Sequence, residues 1–179
     1  MFVGKQHIHL HRWIEYLHCR RANFYNVLKE RCIELAKKSP CLRMKFGAII
    51  FKGEKIIAEG YNYPVFASVC IDSCIRDELG IHHGRNVETC WAIHAEQSAL
   101  LKAGKEAKGA DMMVVGLRPN GEILWKDNAP FYCSVCARLI IGADIRRIIG
   151  VTREGFTVQT PAEAMRYSME ISTGKKVFE

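Results

Sequence analysis

A mixed β-sheet covered on both faces by helices, an α/β fold, is what this chain predicts. Three observations carry that expectation. Short apolar runs suited to strands alternate along the chain with stretches of helical periodicity. The first two runs flank a Lys52-Gly53-Glu54 turn and so return antiparallel, which rules out an all-parallel sheet. The length of 179 residues, with 49% hydrophobic and 25% charged content, suits one soluble domain with a sizeable core.

Leu10, Trp13, Ile14 and Leu17 recur at helical spacing and predict a short amphipathic helix from about His9 to Cys19. Asn23 offers an N-cap for a second helix with apolar positions Phe24, Val27, Leu28, Cys32, Leu35 and Ala36. That helix stops near Ser39-Pro40, because a residue before proline disfavours the helical region. Phe46 to Phe51 reads as a buried strand, and Lys55 to Tyr61 as its antiparallel return. An irregular, cysteine-rich segment runs from Pro64 to Cys90. A helix carrying His94 and Glu96 follows and ends at Gly104. Met112 to Leu117 is a third strand. Pro119-Asn120-Gly121 is a turn, after which Glu122 to Trp125 is either a hairpin arm or a loop. Cys133 to Ile141 reads as a helix, and Ile145 to Val151 as a fourth strand. Thr160-Pro161-Ala162-Glu163 has capping-box spacing with proline at the first helical position, so a last helix starts there. The tail from Ser172 carries little signal.

Residues 1–179 read as a single domain, with 1–21 a basic N-terminal extension. The formal charge of +7 lies wholly in the first quarter: residues 1–45 hold ten Lys/Arg against three Asp/Glu, and four of the seven histidines. An anionic partner or a solvated helix face both account for it. No apolar run is long enough to span a bilayer, and His7, His9, His11 and Arg12 interrupt any signal-peptide core. The expectation is a cytoplasmic protein with no membrane partner. Eight cysteines in such a chain point to metal rather than disulfides.

His94-Ala95-Glu96 followed by Cys133-Ser134-Val135-Cys136 supplies that metal site. One imidazole and two thiolates are three zinc ligands, and the fourth tetrahedral position is left for water, as catalytic zinc requires. Glu96, two residues from the histidine, reaches that water without being a ligand. Each half of the pattern alone is unspecific. Together, in this order and each at a helix start, they are the pattern of zinc nucleobase deaminases.

Four stretches extend the pattern: Cys41 to Ile50, Ile57 to Asn62, Cys90 to Ala99, and Cys133 to Ile141. Through them the chain resembles the cytidine and deoxycytidylate deaminase family, particularly its deoxycytidylate (dCMP) branch, over most of residues 24–152. The resemblance implies a three-layer α/β/α sandwich of the cytidine deaminase type. It implies hydrolytic deamination of a cytosine nucleotide, dCMP to dUMP with release of ammonia, with Glu96 as the proton shuttle. It makes Asn62 a sugar contact and puts Ala95 beside the base. Arg43, with Lys45, lies in a basic stretch suited to the phosphate. The resemblance also implies a second, structural zinc near Cys41 and Cys70, which Cys74 and Cys90 would complete, or His82 or His83 in place of one thiolate. It implies a homo-oligomer. Cys19 and Cys32 fall within helix patterns and read as buried free cysteines. The branch pattern is departed from at Tyr63, at Ser98 and before Cys133, where Pro130 stands three residues upstream. The segment 118–132 is also longer than in compact members, which suits a pocket wall or lid.

Two other readings share these residues. A deaminase of polynucleotide (tRNA adenosine or single-stranded cytosine) would use the basic N-terminal segment with Trp13, Tyr16 and Tyr25 as stacking aromatics; guanine or another small heterocycle is a related substrate. A non-catalytic, zinc-stabilised interaction domain would have no need of Glu96.

Overall fold

A five-stranded mixed sheet, in the order β2 (Lys55–Tyr61), β1 (Lys45–Lys52), β5 (Asp111–Leu117), β6 (Arg147–Thr152), β7 (Gly155–Gln159), carries helices on both faces. The computed structural model describes residues 6–66, 68–126 and 133–175, with backbone alone over 6–20. The sequence expectations for the side chains of Trp13, Tyr16 and Cys19, and for Pro130 to Tyr132, lie outside these residues. Strand β1 (Lys45–Lys52) pairs antiparallel with β2 (Lys55–Tyr61) and with β5 (Asp111–Leu117). Strand β6 (Arg147–Thr152) runs parallel to β5 over three rungs only, and β7 (Gly155–Gln159) closes the far edge antiparallel to β6. The parallel step makes the sheet mixed, as expected.

Alternation along the strands divides the core in two. Ile49, Phe51, Met113, Val115, Ile149 and Val151 face helix α1 (Gln6–Lys37), which offers Tyr25, Leu28, Cys32 and Leu35. Ala48, Ile50, Met112, Val114 and Ile148 face the other way, onto α3 (Ala95–Ala103), α4 (Ser134–Gly142) and α5 (Pro161–Thr173). The result is the three-layer sandwich. Cys32 is a buried free thiol, as its helix position implies. Among the described residues, no helix is long and apolar enough to cross a membrane.

The N-terminal region differs from expectation. One continuous helix replaces two, passing through Asn23, whose side chain is exposed. Arg20, Arg21 and Ala22 are good helix formers, and a solvent-facing asparagine costs a helix interior only about 0.7 kcal/mol, too little to break it. The buried stripe is also rotated: Val27 is 64% exposed, and Tyr25 lies in its place against Phe51 and Phe156. Tyr25 is therefore a core residue and not a stacking platform for bases.

Two glycines set the thickness of the sandwich. A Cβ on Gly47 would fall 2.1 Å from the Cys32 carbonyl oxygen of α1, and one on Gly60 2.4 Å from the Ala95 carbonyl oxygen of α3. Helix backbones thus rest directly on neighbouring rungs of β1 and β2, from opposite faces.

The irregular segment is bracketed by a two-rung ladder of β3 (Tyr63–Pro64) with β4 (Ala92–Ile93) and contains the short helix α2 (Ile75–Glu78) and a single 3-10 turn at Val87–Thr89 among its described residues. Strand β7 is absent from the sequence expectation. Its run of five residues is short and half exposed, so period-two burial is faint in it. The capping box at the last helix is present, with Thr160 Oγ1 accepting from the Glu163 N–H and Glu163 accepting from the Thr160 N–H at 2.7 Å. At the same end of the strands, Arg146 and Arg147 both donate to Asp111. Burial alone would raise that carboxyl, but the two guanidinium groups outweigh it and hold it below the usual carboxylate range.

Beyond the three rungs that join them, β5 and β6 part. The segment after Gly121 is neither a full hairpin arm nor a plain loop. It makes one bridge, Ile123 to Leu117, then crosses the fork, with the Leu124 N–H donating to Gly116 and the Lys126 N–H to Val151. The fork at the carboxyl ends of parallel strands is where open α/β sheets hold ligands.

Candidate metal centre and its cavity

His94 is the N-cap of α3, delivered there by β4, with the Gln97 side chain accepting from its backbone N–H at 2.7 Å. Cys133 is the N-cap of α4, its sulfur accepting from the Cys136 N–H. Small residues, Ala95, Ala99 and Ala137, let the two helix starts pack side by side. His94 Nδ1 lies 3.2 Å from Cys136 Sγ and 3.3 Å from Cys133 Sγ. Metal–sulfur and metal–nitrogen bonds of about 2.3 and 2.0–2.1 Å give a tetrahedral N···S edge of about 3.5 Å. The donors therefore fit a zinc ion. They are the set of three or more histidine, cysteine or acidic residues, among those described, whose ligand atoms all lie within 4.8 Å of one another.

The Cys136 thiol brings Cys133 down to about 4, so Cys133 is a thiolate, the form that binds metal; burial pushes Cys136 the other way. A cation at this site displaces that second proton. Glu96, in the first turn of α3, is only 5% exposed. Burial raises its carboxyl above the ordinary range, and the charge on Cys133 adds to that.

His94, Glu96 and Cys133 line a cavity of about 360 Å³ in the fork between β5 and β6. Its walls include Val114 and Gly116 of β5, and Ile148 and Gly150 of β6. Arg118, Leu124 and Lys126 line it too, so the described part of the long segment is a wall. Lys126 is held below its ordinary range by burial, against an opposing pull from the Glu96 charge.

The other sequence-predicted residues divide. Arg43 and Asn62 line the cavity. The Asn62 amide accepts from the Phe46 N–H at 2.7 Å and donates to the Met44 carbonyl at 2.9 Å, so one amide N–H is left for another partner. Ala95 is fully buried in the helix packing, with its carbonyl against Gly60. Cys41, Cys74 and Cys90 line the cavity, and Cys70 feels the charge of all three; yet the four do not gather their sulfurs within 4.8 Å as the donors of His94, Cys133 and Cys136 do.

Sequence reasoning missed Arg76 and Lys126. The signal for Lys126 was the added segment itself. Arg76 sits in a stretch without periodicity, where only an arginine set among Cys70, Cys74, His82 and His83 marked it.

The model of the cytidine and deoxycytidylate deaminase zinc-binding region matches residues 23–152. The chain is 33% identical over 116 residues to a deoxycytidylate deaminase of Schizosaccharomyces pombe, covering 64% of this chain and 32% of that protein. It is 31% identical over 120 residues to a deoxycytidylate deaminase of Mycobacterium phage D29, covering 64% and 83%. The chain thus matches about a third of the length of the fission and budding yeast proteins. Among solved structures it is similar in fold to the dCMP deaminase of cyanophage S-TIM5 in complex with dCMP and dUMP, with a TM-score of 0.51, 20% identity, and coverage of 84% of this chain and 93% of that one. Zinc is accordingly the cofactor: the matched region is a zinc-binding one, and His94, Cys133 and Cys136 are grouped for it.

Proposed function

Because the chain belongs to the cytidine and deoxycytidylate deaminase family, we propose that it is a zinc-dependent enzyme that deaminates a cytosine nucleotide, dCMP to dUMP. Residues 1–179 would act as one deaminase domain within a homo-oligomer. The observation that carries the reading is the meeting, in one cavity, of the His94–Cys133–Cys136 donor group with the buried carboxyl of Glu96.

His94 Nδ1, Cys133 Sγ and Cys136 Sγ would hold the metal. When bound, zinc supplies Lewis acidity that makes water a nucleophile at neutral pH. Glu96 takes a proton from the water that adds to C4 and gives it to N3 of the ring. It then takes the remaining hydroxyl proton and passes it to the exocyclic amine. The C4–N bond breaks, ammonia leaves and a carbonyl remains. A single carboxylate can do both jobs only if it stays within reach of both atoms, and its place in the first turn of a packed helix restrains it. Leu124 and Lys126, crossing the fork, help exclude bulk water from that exchange.

Ammonia release from dCMP, CMP, deoxycytidine, cytosine, guanine and a short single-stranded oligonucleotide tests the reading. dCMP is expected to be turned over with the highest kcat/KM. Silence on every cytosine monomer, with turnover of the oligonucleotide or of guanine, would overturn it.

Cys41, Cys70, Cys74 and Cys90 are, on the same reading, ligands of a structural zinc, which would draw them together and pin a segment with little apolar core of its own. Metal analysis of protein purified without chelator is expected to give two zinc ions per chain. A value of one would remove this second site and leave the first.

A further inference from the structure

Two groups of cations line the cavity, and they act on different residues. Arg43 donates to the Ile81 carbonyl and Arg76 to those of His82 and Arg85. Burial first, then the charges of Arg43, Arg76 and Arg118, hold the His83 imidazole below its ordinary range. Lys126 stands on the segment that crosses the fork, where it and Glu96 feel each other's charge. Three features place its side chain. Its N–H donates to the Val151 carbonyl at 2.8 Å, as the Leu124 N–H does to that of Gly116. Leu124 and Lys126, two apart, both line the cavity, while Trp125 between them does not and is 36% exposed, the alternation of an extended chain. Each of the two also lies on a glycine: a Cβ on Gly116 would fall 2.8 Å from Leu124 Cδ1, and one on Gly150 3.4 Å from Lys126 Cγ. The Lys126 stem therefore crosses bare backbone of β6. Burial works against its ammonium form, and the charge of Glu96 works for it.

We propose that Lys126 is a further catalytic residue, the donor that reads the O2 carbonyl of a pyrimidine base held with C4 toward Glu96. This rests on the deaminase reading, but on a residue to which that reading gives only the exclusion of water. Glu96 works on the ring edge that carries C4 and N3. The next atom along that edge is C2, which bears O2, so a donor drawn toward Glu96 meets O2 rather than the sugar, which leaves the ring at N1. When the oxygen of water bonds to C4, the C4–N3 π pair moves onto N3. It is shared through C2 with O2 until Glu96 delivers its proton to N3. An ammonium at O2 keeps its own proton and stabilises that charge, an interaction stronger in the transition state than in the ground state. The same contact selects the base. Adenine has a C–H where cytosine has C2=O, so it gives the ammonium no acceptor, and a site built around a polar donor rejects such a ring. Lys126 thus favours a cytosine substrate over an adenosine one.

Turnover of dCMP and of its 2-thio analogue, whose sulfur is a poor acceptor, by the wild type, Lys126→Met and Lys126→Arg tests the contact. Methionine keeps a stem on Gly150 and removes the donor. On dCMP, Lys126→Met is expected to lose about 100-fold in kcat, with KM raised no more than about tenfold. The ratio of kcat/KM for dCMP to that for the 2-thio analogue should be at least about tenfold lower in Lys126→Met than in the wild type, because both changes remove one contact. Lys126→Arg keeps charge and donors in another geometry and should lie between. Zinc content should stay at the wild-type value, since Lys126 is not among the metal donors. The wild type, which needs no variant to fold, should turn over the 2-thio analogue more slowly by at least about tenfold. Equal loss on both substrates, or Lys126→Met within about threefold of wild type on dCMP, overturns the proposal. If the wild type turns over no cytosine compound, the deaminase reading fails instead. Calorimetry with dCMP on the zinc-loaded protein then decides: severalfold weaker binding in Lys126→Met sustains the contact, and equal binding or none sinks it.

Discussion

Glu96→Gln is expected to lose at least about 1,000-fold in kcat/KM for dCMP, the size of effect that follows from removing the group proposed to act as both base and acid. The substitution keeps the volume and one acceptor but cannot take a proton, so it separates proton transfer from packing. Zinc content should stay at the wild-type value, because the donors are His94, Cys133 and Cys136 and not the carboxyl. Stability should be unchanged or higher, since a carboxylate that is 5% exposed gives way to a neutral amide. Ammonia release, metal analysis and thermal unfolding on one preparation read the three together. Activity within tenfold of wild type would show that another group carries the protons, and Lys126, on the facing wall, would be the first to examine.

Gly60→Ala is expected to cost both stability and activity although it lies outside the site. The new Cβ would stand 2.4 Å from the Ala95 carbonyl oxygen and 2.5 Å from the Ala99 nitrogen. Both are helix backbone, so neither can swing aside, and α3 must move off β2 as a body. Overpacking of this kind costs about 1–3 kcal/mol, and a backbone clash falls at the upper end. The same displacement carries His94 and Glu96 away from Cys133 and Cys136, and a shift of about 1 Å in a catalytic group costs about 100-fold in rate. Denaturant unfolding should show the stability loss, and activity and zinc content should fall with it. Gly142→Ala is the control: nothing lies within 4 Å of its added Cβ, and it ends a helix, so it should be neutral or slightly stabilising. Wild-type stability and turnover in Gly60→Ala would mean that the contact between α3 and β2 is looser than the structure places it.

Periodicity revealed most of the sandwich, because β1, β2, β5 and β6 bury one or both faces and α3 to α5 begin at recognisable signals. The metal donors were legible for a different reason: ligand chemistry restricts residue type and spacing, and both are written locally. What stayed hidden depends on distant partners. The continuity of α1 through Asn23 is decided by Tyr25 and Leu28 finding Phe51 and its neighbours on the sheet. The short β7 exists because β6 offers it an edge. Arg76 shows no pattern at all, since its burial arises only once Ile81 to Arg85 fold back over it. Asn62 was singled out through resemblance as a sugar contact, while its bonds to Met44 and Phe46 show that it also fastens the start of β1.

The segment that crosses the fork has a consequence for behaviour at high concentration. Where β5 and β6 diverge, each strand presents carbonyls that its neighbour no longer reaches, the situation that invites a strand from another molecule to add on. Leu124 and Lys126 occupy two of them, at Gly116 and Val151. The length of chain that walls the cavity is therefore also a guard against self-templated aggregation. Shortening it would bare those two carbonyls in the middle of the sheet, and the shortened protein is expected to aggregate more readily on concentration.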